Sequence, residues 1–277
     1  MKFSIITASH NQREWLKQCV RSVADQAGVE VQHVIQDTGA AAGLEEWLRE
    51  NSTARIFIEK DDGMYDAWNR GLHRTDGELV AFLNSDEQYL PGTLETVTKT
   101  FHTRPDVEIV VGDCLITSPA GDLLSFRRST KLRPAMILTD HLYDLTCSMF
   151  FRRSIFDRGL LFDPEYKAAG DAEWVSRLLR NGVRVAYVRE YLATFAVTGE
   201  NLSLNSNRER ELGLLRKITP RWAFPVAPLL RKIRHVEKFL LGGYRSRPIA
   251  YEIYASGDDK HRKRFVCNRP GFRHPWA

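Results

Sequence analysis

The sequence predicts an α/β protein built on a mainly parallel, Rossmann-like three-layer sheet with a basic tail, on three observations. Short apolar runs alternate with amphipathic helical patterns through the first 125 residues or so. Polar and acidic residues stand just past the end of each apolar run. The charge divides sharply: from Leu204 to the end there are 17 Lys+Arg against 6 Asp+Glu, a net +11, while Met1–Ser203 carries −6. These boundaries give a catalytic body over 1–203, split into a ligand-binding half (1–113) and a second half (114–203), followed by the tail, 204–277.

The elements follow in order. "KFSIIT" is a first strand, and Asn11 with Glu14 supplies a cap for a helix through Trp15, Leu16, Cys19, Val20 and Val23. "VQHVIQ" is a second strand, with a short helix near Leu44–Arg49. "ARIFIE" is a third, with a helix from Met64 to His73. "ELVAFL" is a fourth, after which Pro91 opens a helix containing Leu94, Val97 and Phe101. "EIVVGD" is a fifth strand. Beyond Ser125 the periodicity loosens, and helices are predicted only over Asp171–Arg180 and Pro228–Leu241.

Composition narrows the class. With 277 residues, 43% apolar and 27% charged, the chain is an ordinary globular protein. No stretch approaches the ~20 apolar residues that span a bilayer. The start reads as a strand, too short and polar for a signal peptide. Four scattered cysteines (Cys19, Cys114, Cys147, Cys267) argue against a zinc site or a disulfide framework and fit a reducing cytoplasm. The basic tail calls for an anionic partner. No nucleic-acid-binding signature accompanies it, so a membrane surface is the expected one.

Ligands of open α/β sheets bind beyond the carboxyl ends of the strands. The residues there are Ser9-His10-Asn11, Asp37-Thr38-Gly39, Lys60-Asp61-Asp62-Gly63, Asn84-Ser85-Asp86-Glu87 and Gly112-Asp113. Four of the five sets carry a carboxylate. A lone Asp after a strand is ordinarily a turn or cap residue, but crowded carboxylates repel unless a cation or donor groups intervene. Hard oxygen ligands suit Mg²⁺ or Mn²⁺ shared with substrate phosphates, so a metal-bridged nucleoside diphosphate is the expected occupant.

The pieces "SIITASHNQREWLKQCVRSVADQ", "HVIQDTGAAAG", "EKDDGMYDAWNRGL", "GELVAFLNSDEQYLPGTL" and "AAGDAEWVSRLLRNG", in this order over Phe3–Gly182, resemble the family 2 glycosyltransferases of GT-A fold. The resemblance implies inverting transfer of a sugar from a UDP-, GDP- or dTDP-linked donor to a hydroxyl of a glycan or lipid-linked acceptor, in surface polysaccharide or lipid-linked glycan synthesis. It implies that Asp37 meets the nucleobase with Thr7, Ser9 and Asn11 beside it, and that Asp61 meets base and ribose. Asn69 and Arg70 would face the donor. Asn84, Ser85 and Asp86 occupy the DxD position, with Asp86 as ligand to Mn²⁺ or Mg²⁺, and Asp171 is the implied general base, with Glu173 its rival. Three departures stand out. "DTGAAAG" lacks the second Asp of a "DGGSTDGT" loop. Asn84 replaces the first Asp of DxD, and Glu87 follows where many relatives have Asp. Thr146-Cys147 replaces a His-Gln pair.

Simpler roles compete at several positions. Asp86 has a plainer reading as a turn residue before Pro91, and Asp171 as a helix N-cap compatible with base catalysis. Tyr65 and Trp68 read as core packing, His10 and His33 as structural or surface residues, and Arg152-Arg153 as phosphate ligands or a solvated pair. Asn201, Ser203 and Arg208 sit in a polar segment that could close over a diphosphate. In the tail, Leu229, Leu230, Ile233, Val236 and Leu240 form one stripe, with Arg231, Lys232, Arg234, His235 and Lys238 on the remainder and Trp222 and Phe224 upstream. This pattern fits an interfacial anchor at the inner face of the cell membrane, or a helix packed on the body. A nucleotidyltransferase shares the sheet and metal logic but needs a Gly-rich loop after the first strand, and "TASHNQREW" has no glycine. The altered DxD leaves a non-catalytic nucleotide-sugar-binding or scaffold protein as the third reading.

Overall fold

In the computed structural model, which describes residues 1–39, 43–199, 207–255 and 258–273, the first strand sets the centre. β1 (Lys2–Ser9) is buried from Phe3 to Thr7 on both faces, as a central parallel strand must be. Then come α1 (Arg13–Ala24), β2 (Glu30–Asp37), α2 (Leu44–Asn51), β3 (Arg55–Ile58), α3 (Met64–His73) and β4 (Leu79–Phe82). β5 (Glu87–Tyr89) and α4 (Thr93–Thr103) precede β6 (Ile109–Thr117), β7 (Leu123–Arg127), α5 (Pro134–Thr139), β8 (Met149–Arg152) and α6 (Ser154–Asp157). The chain continues with α7 (Gly170–Arg180), β9 (Val185–Ala196), α8 (Asn207–Ile218), α9 (Ala223–Leu240), β10 (Ile249–Ala255) and β11 (Asp258–Cys267).

The main sheet runs β3-β2-β1-β4-β8-β6-β9-β5, with β7 added on β6. β1 to β4 are mutually parallel. β8 then enters antiparallel to both β4 and β6, and β9 returns parallel to β6. Alternation along the strands builds the two cores. Ile6, Val80 and Phe82 face α3 and α7 with Trp68 and Trp174. Ile5, Leu79 and Ala81 face α1 and α4 with Cys19, Leu94 and Phe101. The first of these is aromatic: Phe162 lies 4.0 Å from Trp174 and 5.1 Å from Trp68 between ring centroids. Tyr65 and Trp68 are each 1% exposed, in agreement with the packing role expected of them.

Five expectations are corrected. Asn11 does not cap α1; the N-cap is Gln12, with no side-chain cap bond, and Asn11 takes a left-handed φ of 53°. α4 begins at Thr93, after a left-handed Gly92, two residues beyond Pro91. Asp113 is no strand end. It lies inside β6, wholly buried, and accepts Arg128 Nη1 at 2.7 Å and Ser129 N at 2.8 Å. Asp171 is not an N-cap: Ala169 holds that position and Asp171 sits in the first turn of α7. The Arg152 and Arg153 pair is neither solvated nor near a ligand cleft, because its guanidinium groups donate to carbonyls of Val107, Phe101 and Gly77.

Where the sequence predicts one tail helix, the structure has two helices and a hairpin. Ile249, Tyr251 and Ile253 of β10 pack on Leu90, Leu115 and Phe126. Gln88 and the backbone of Tyr254 exchange two hydrogen bonds of 2.9 Å. Arg262 grips Asp25 through two bonds of 2.6 and 2.7 Å and donates to Tyr89 O. α9 starts at Ala223, five residues ahead of its predicted start, and tolerates Pro228 inside. It lies on the body through Ala223 and Ala227, both buried, and through Arg234, Glu237 and Lys238. Arg133 Nη1 meets Glu237 at 2.8 Å, and the Arg234 guanidinium lies 4.8 Å from the Tyr143 ring centre. Most of the apolar stripe points the other way: Leu229 is 59% exposed, Val236 57% and Leu240 75%. Only Leu230 of the predicted stripe packs against the core.

Candidate functional site

A cleft of about 920 Å³ opens where β1, β3 and β4 end. One wall is the loops after these strands and the first turns of α3. The rest of the lining is Arg127, Asp140, His141, Leu142, Asp144, Leu145 and Thr146, then Ala168, Ala169, Asp171 and Ala172, and two leucines of α8, Leu212 and Leu215.

Of the residues predicted for a donor, Ser9, Asp61, Asn84, Ser85 and Asp86 line this cleft. Ser9 is buried, and its Oγ has no partner among the described residues. Asp61 closes the turn into α3 by accepting Gly63 N at 2.9 Å. That turn needs glycine, since Gly63 has a φ of 109°. Burial, with help from Asp66, raises the Asp61 carboxyl above its ordinary range. Ser85 donates to the Gln12 side chain. Asp86 is partly exposed, while the next residue, Glu87, turns inward and accepts Asn84 N at 2.6 Å. Burial first, and then the charge of Asp86, push Glu87 up to about 8. Protonation at neutral pH therefore relieves the crowding of these adjacent carboxylates.

Five predicted residues do not line the cleft. Thr7 is a core group, 2.9 Å from the ring of His33, whose own burial drives its pKa down to about 3 and leaves it neutral. Asn11 is exposed and its side chain stands against His10 and Gly39. Asp37 is 1% exposed and accepts Gly39 N at 2.6 Å, so it holds the turn that presents Thr38 to the cleft. Asn69 spends its amide on the backbone of Phe162, donating at 2.8 Å and accepting at 3.1 Å. Arg70 pairs with Asp66 at 2.8 Å and donates to Lys60 O.

Asp171 does line the cleft. Its Oδ1 accepts Ala172 N at 2.8 Å and the Tyr65 hydroxyl at 3.3 Å. Burial raises its carboxyl above the ordinary range, making it a better proton acceptor once ionised. Glu173, its rival, is bound by Arg177 at 2.9 and 3.0 Å and is not among the lining residues. Asn201, Ser203 and the side chain of Arg208 lie outside the described residues.

Sequence reasoning missed four charged or titratable residues that line the cleft: Arg127, Asp140, His141 and Asp144. Asp144 is 4% exposed, and burial pushes its carboxyl up to about 8 against the pull of Arg127. Asp140 pairs with His141 at 3.2 Å and with Arg234 of α9 at 3.9 Å. The signal available was "TDHLYDLT", two acidic residues in an aperiodic stretch, which reads as a surface loop.

Residues 4–160 match the family described as Glycosyl transferase family 2. Among curated relatives, glycosyltransferase AglE of Haloferax volcanii is 24% identical over 202 residues, 68% of this chain and 65% of the relative. TuaG of Bacillus subtilis strain 168, named for teichuronic acid biosynthesis, is 26% identical over 236 residues, 80% of this chain and 92% of TuaG. Among solved structures, S. aureus TarS 1–349 in complex with UDP-GlcNAc superposes with a TM-score of 0.57 at 15% identity, covering 78% of this chain and 64% of that one. The mannosyltransferase PcManGT of Pyrobaculum calidifontis, in complex with GDP-Man and Mn²⁺, gives a TM-score of 0.52 at 15% identity, over 84% and 64%. The chain thus spans just under two thirds of AglE and of both solved chains. These structural likenesses carry the fold, the layered GT-A arrangement expected from the sequence.

Proposed function

Because the chain belongs to glycosyl transferase family 2, we propose that it moves a sugar, with inversion, from a nucleoside-diphosphate donor to an acceptor hydroxyl. The observation that carries this reading is one cleft lined both by Asp86, after β4, and by Asp171, in the first turn of α7. Inverting transfer needs a stabilised leaving group on one side of the anomeric carbon and a base on the other. Ser9, Asp61, Asn84 and Ser85 are the donor contacts. Asp37, Asn69 and Arg70 act as framework for the loops and helix that carry them.

Mn²⁺ or Mg²⁺ fits the residues in one way. Among the described residues no three His, Cys, Asp or Glu gather into an all-protein site, and Glu87 is turned inward. A single partly exposed carboxylate suits an ion whose remaining ligands are diphosphate oxygens and water. Asp86 would hold such an ion, which would supply neutralisation of charge on the departing diphosphate. PcManGT, which shares the fold, is a Mn²⁺ and GDP-Man complex.

Asp171 takes the acceptor proton. Tyr65 steadies it, and its burial strengthens it as a base. The acceptor is a glycan or lipid-linked glycan, as the name of TuaG suggests for that relative, and it enters past Asp140, His141 and Asp144. No described helix is long and apolar enough to cross a membrane. The outward apolar stripe of α9, with exposed Arg231 and Lys232 on the same helix, supports a peripheral site on an anionic bilayer; we place that site on the cytoplasmic face. The test is release of nucleoside diphosphate from UDP-GlcNAc and GDP-Man with Mn²⁺. Asp171→Asn should keep donor binding and lower transfer at least ~10²-fold; a variant as active as the wild type removes Asp171 from the chemistry.

A further inference from the structure

α7 carries Asp171 in its first turn, where that side chain accepts Ala172 N, yet its N-cap residue has no polar side chain with which to hold the turn before the helix. The N-cap is Ala169 and makes no side-chain bond, and alanine is among the poorest N-cap residues. The acceptor comes instead from another helix. Glu211 of α8 is wholly buried. Its Oε1 accepts Lys167 N at 2.6 Å, and its Oε2 accepts Ala168 N at 2.9 Å and Ala169 N at 2.7 Å. One carboxylate thus gathers three consecutive backbone donors at the mouth of a helix, where negative charge is also favoured by the helix dipole. Ala168, Ala169 and Asp171 belong to the cleft wall, as do Leu212 and Leu215 on the same helix as Glu211.

We propose that Glu211 is a positioning residue for transfer, setting the turn from which Asp171 enters the cleft. This rests on the reading of Asp171 as the base. A carboxylate fixed by three short bonds leaves the turn little freedom, and a misplacement of about 1 Å at a reacting group costs as much as ~10²-fold. Glu211 also acts through charge. Of the groups around Asp171, burial and the Glu211 charge hold its carboxyl up, while the Tyr65 hydroxyl and Ala172 N–H oppose them.

The experiment compares Glu211→Gln, Glu211→Asp and Asp171→Asn with the wild type, at a temperature well below unfolding. It reads kcat, donor KM and the acid limb of the kcat/KM profile. In Glu211→Gln one acceptor oxygen replaces two and the charge is gone. kcat should fall about 10-fold or more at unchanged donor KM, and the acid limb should move to lower pH as Asp171 loses a negative neighbour. Glu211→Asp keeps the charge but shortens the reach, so kcat should fall with the acid limb in place. It also decides the matter if the Gln variant fails to fold. If both variants lower only the melting temperature, with kcat and acid limb unmoved while Asp171→Asn is crippled, Glu211 is a staple and the proposal falls. If Asp171→Asn itself transfers normally, the base reading falls first, and the positioning role falls with it.

Discussion

α9 allows two pairs of basic residues on one helix to be set against each other. Arg231 and Lys232 are both exposed, and Lys232 lies beside the exposed Leu229, Ile233, Val236 and Leu240; Arg234 and Lys238 are half-buried on the inward side. Against an anionic bilayer each outward cation is worth about 1 kcal/mol, screened by salt. Replacing Arg231 and Lys232 by Gln should therefore cost ~2 kcal/mol of binding, roughly 30-fold in partition, with the melting temperature unchanged. The inward pair makes cation–π contacts, Arg234 at 4.8 Å from Tyr143 and Lys238 at 5.1 Å from Tyr244. Their replacement by Gln should cost about 2 kcal/mol of folding, a fall of roughly 4–8 °C. Vesicle binding would then be largely retained. The assay is co-sedimentation with vesicles of stated anionic lipid content across a salt series, with thermal unfolding alongside. Leu240→Glu should remove the salt-resistant part of binding. An outward pair whose loss leaves binding intact, or an inward pair whose loss abolishes it without destabilisation, would refute the inside-out orientation as the basis of membrane contact.

Asp86→Asn should abolish the Mn²⁺-dependent part of the thermal shift given by UDP or GDP, which at 100-fold the dissociation constant is ~2.7 kcal/mol in the wild type; an equal shift in EDTA would remove the metal from the site. Asp144 has its folded pKa raised to about 8 by burial, so the folded chain keeps a proton that the unfolded chain releases near pH 4. Stability should then fall as pH rises between about 4 and 8, by up to about 1.4 kcal/mol per unit, and Asp144→Asn should flatten that slope in pH-dependent unfolding; a slope unchanged by the substitution assigns it elsewhere. A Cβ on Gly170 would meet the Tyr65 ring at 2.6 Å, and that ring's hydroxyl is bonded to Asp171, so Gly170→Ala should lower kcat several-fold with donor affinity kept; wild-type kcat would show that Tyr65 does not steady the base.

The half of the fold that runs to α4 was legible because burial there is two-sided. β1 and β4 are continuous apolar runs, and α1 buries Leu16, Cys19, Val20 and Val23 at helical spacing. The second half was opaque for physical reasons. β5 and β8 have three and four residues, too few for a period, and β9 carries exposed Arg189 and Glu190 in mid-strand. Asp113 reads as the end of a strand because a charge in mid-strand is costly, and its compensation, Arg128, lies fifteen residues on. In the site, the family resemblance pointed to Asp86 and Asp171, and both line the cleft, but which oxygens face a cleft is a tertiary fact. Asn69 and Arg70 share a helix with the lining residues Met64, Tyr65, Ala67 and Trp68 and still turn elsewhere. Periodicity found the stripe on α9 and could not give its direction.

That direction ties the tail to the chemistry. Arg234, on the inward face of α9, reaches Asp140, which pairs with His141 in the lining of the cleft. Arg234 also lowers the Asp144 carboxyl against its burial. α8, which precedes α9 in the chain, lines the same cleft with Leu212 and Leu215 while Glu211 holds the turn before Asp171. On the reading that α9 rests on a bilayer, the part of the cleft lined by Asp140 is the part tethered to the membrane-facing helix. An acceptor anchored in that bilayer would then meet Asp140, His141 and Asp144 before it meets the base. The Gln replacements at Arg231 and Lys232 carry the corresponding expectation: transfer to a vesicle-borne acceptor falls with vesicle binding, while transfer to a water-soluble analogue of the same glycan does not.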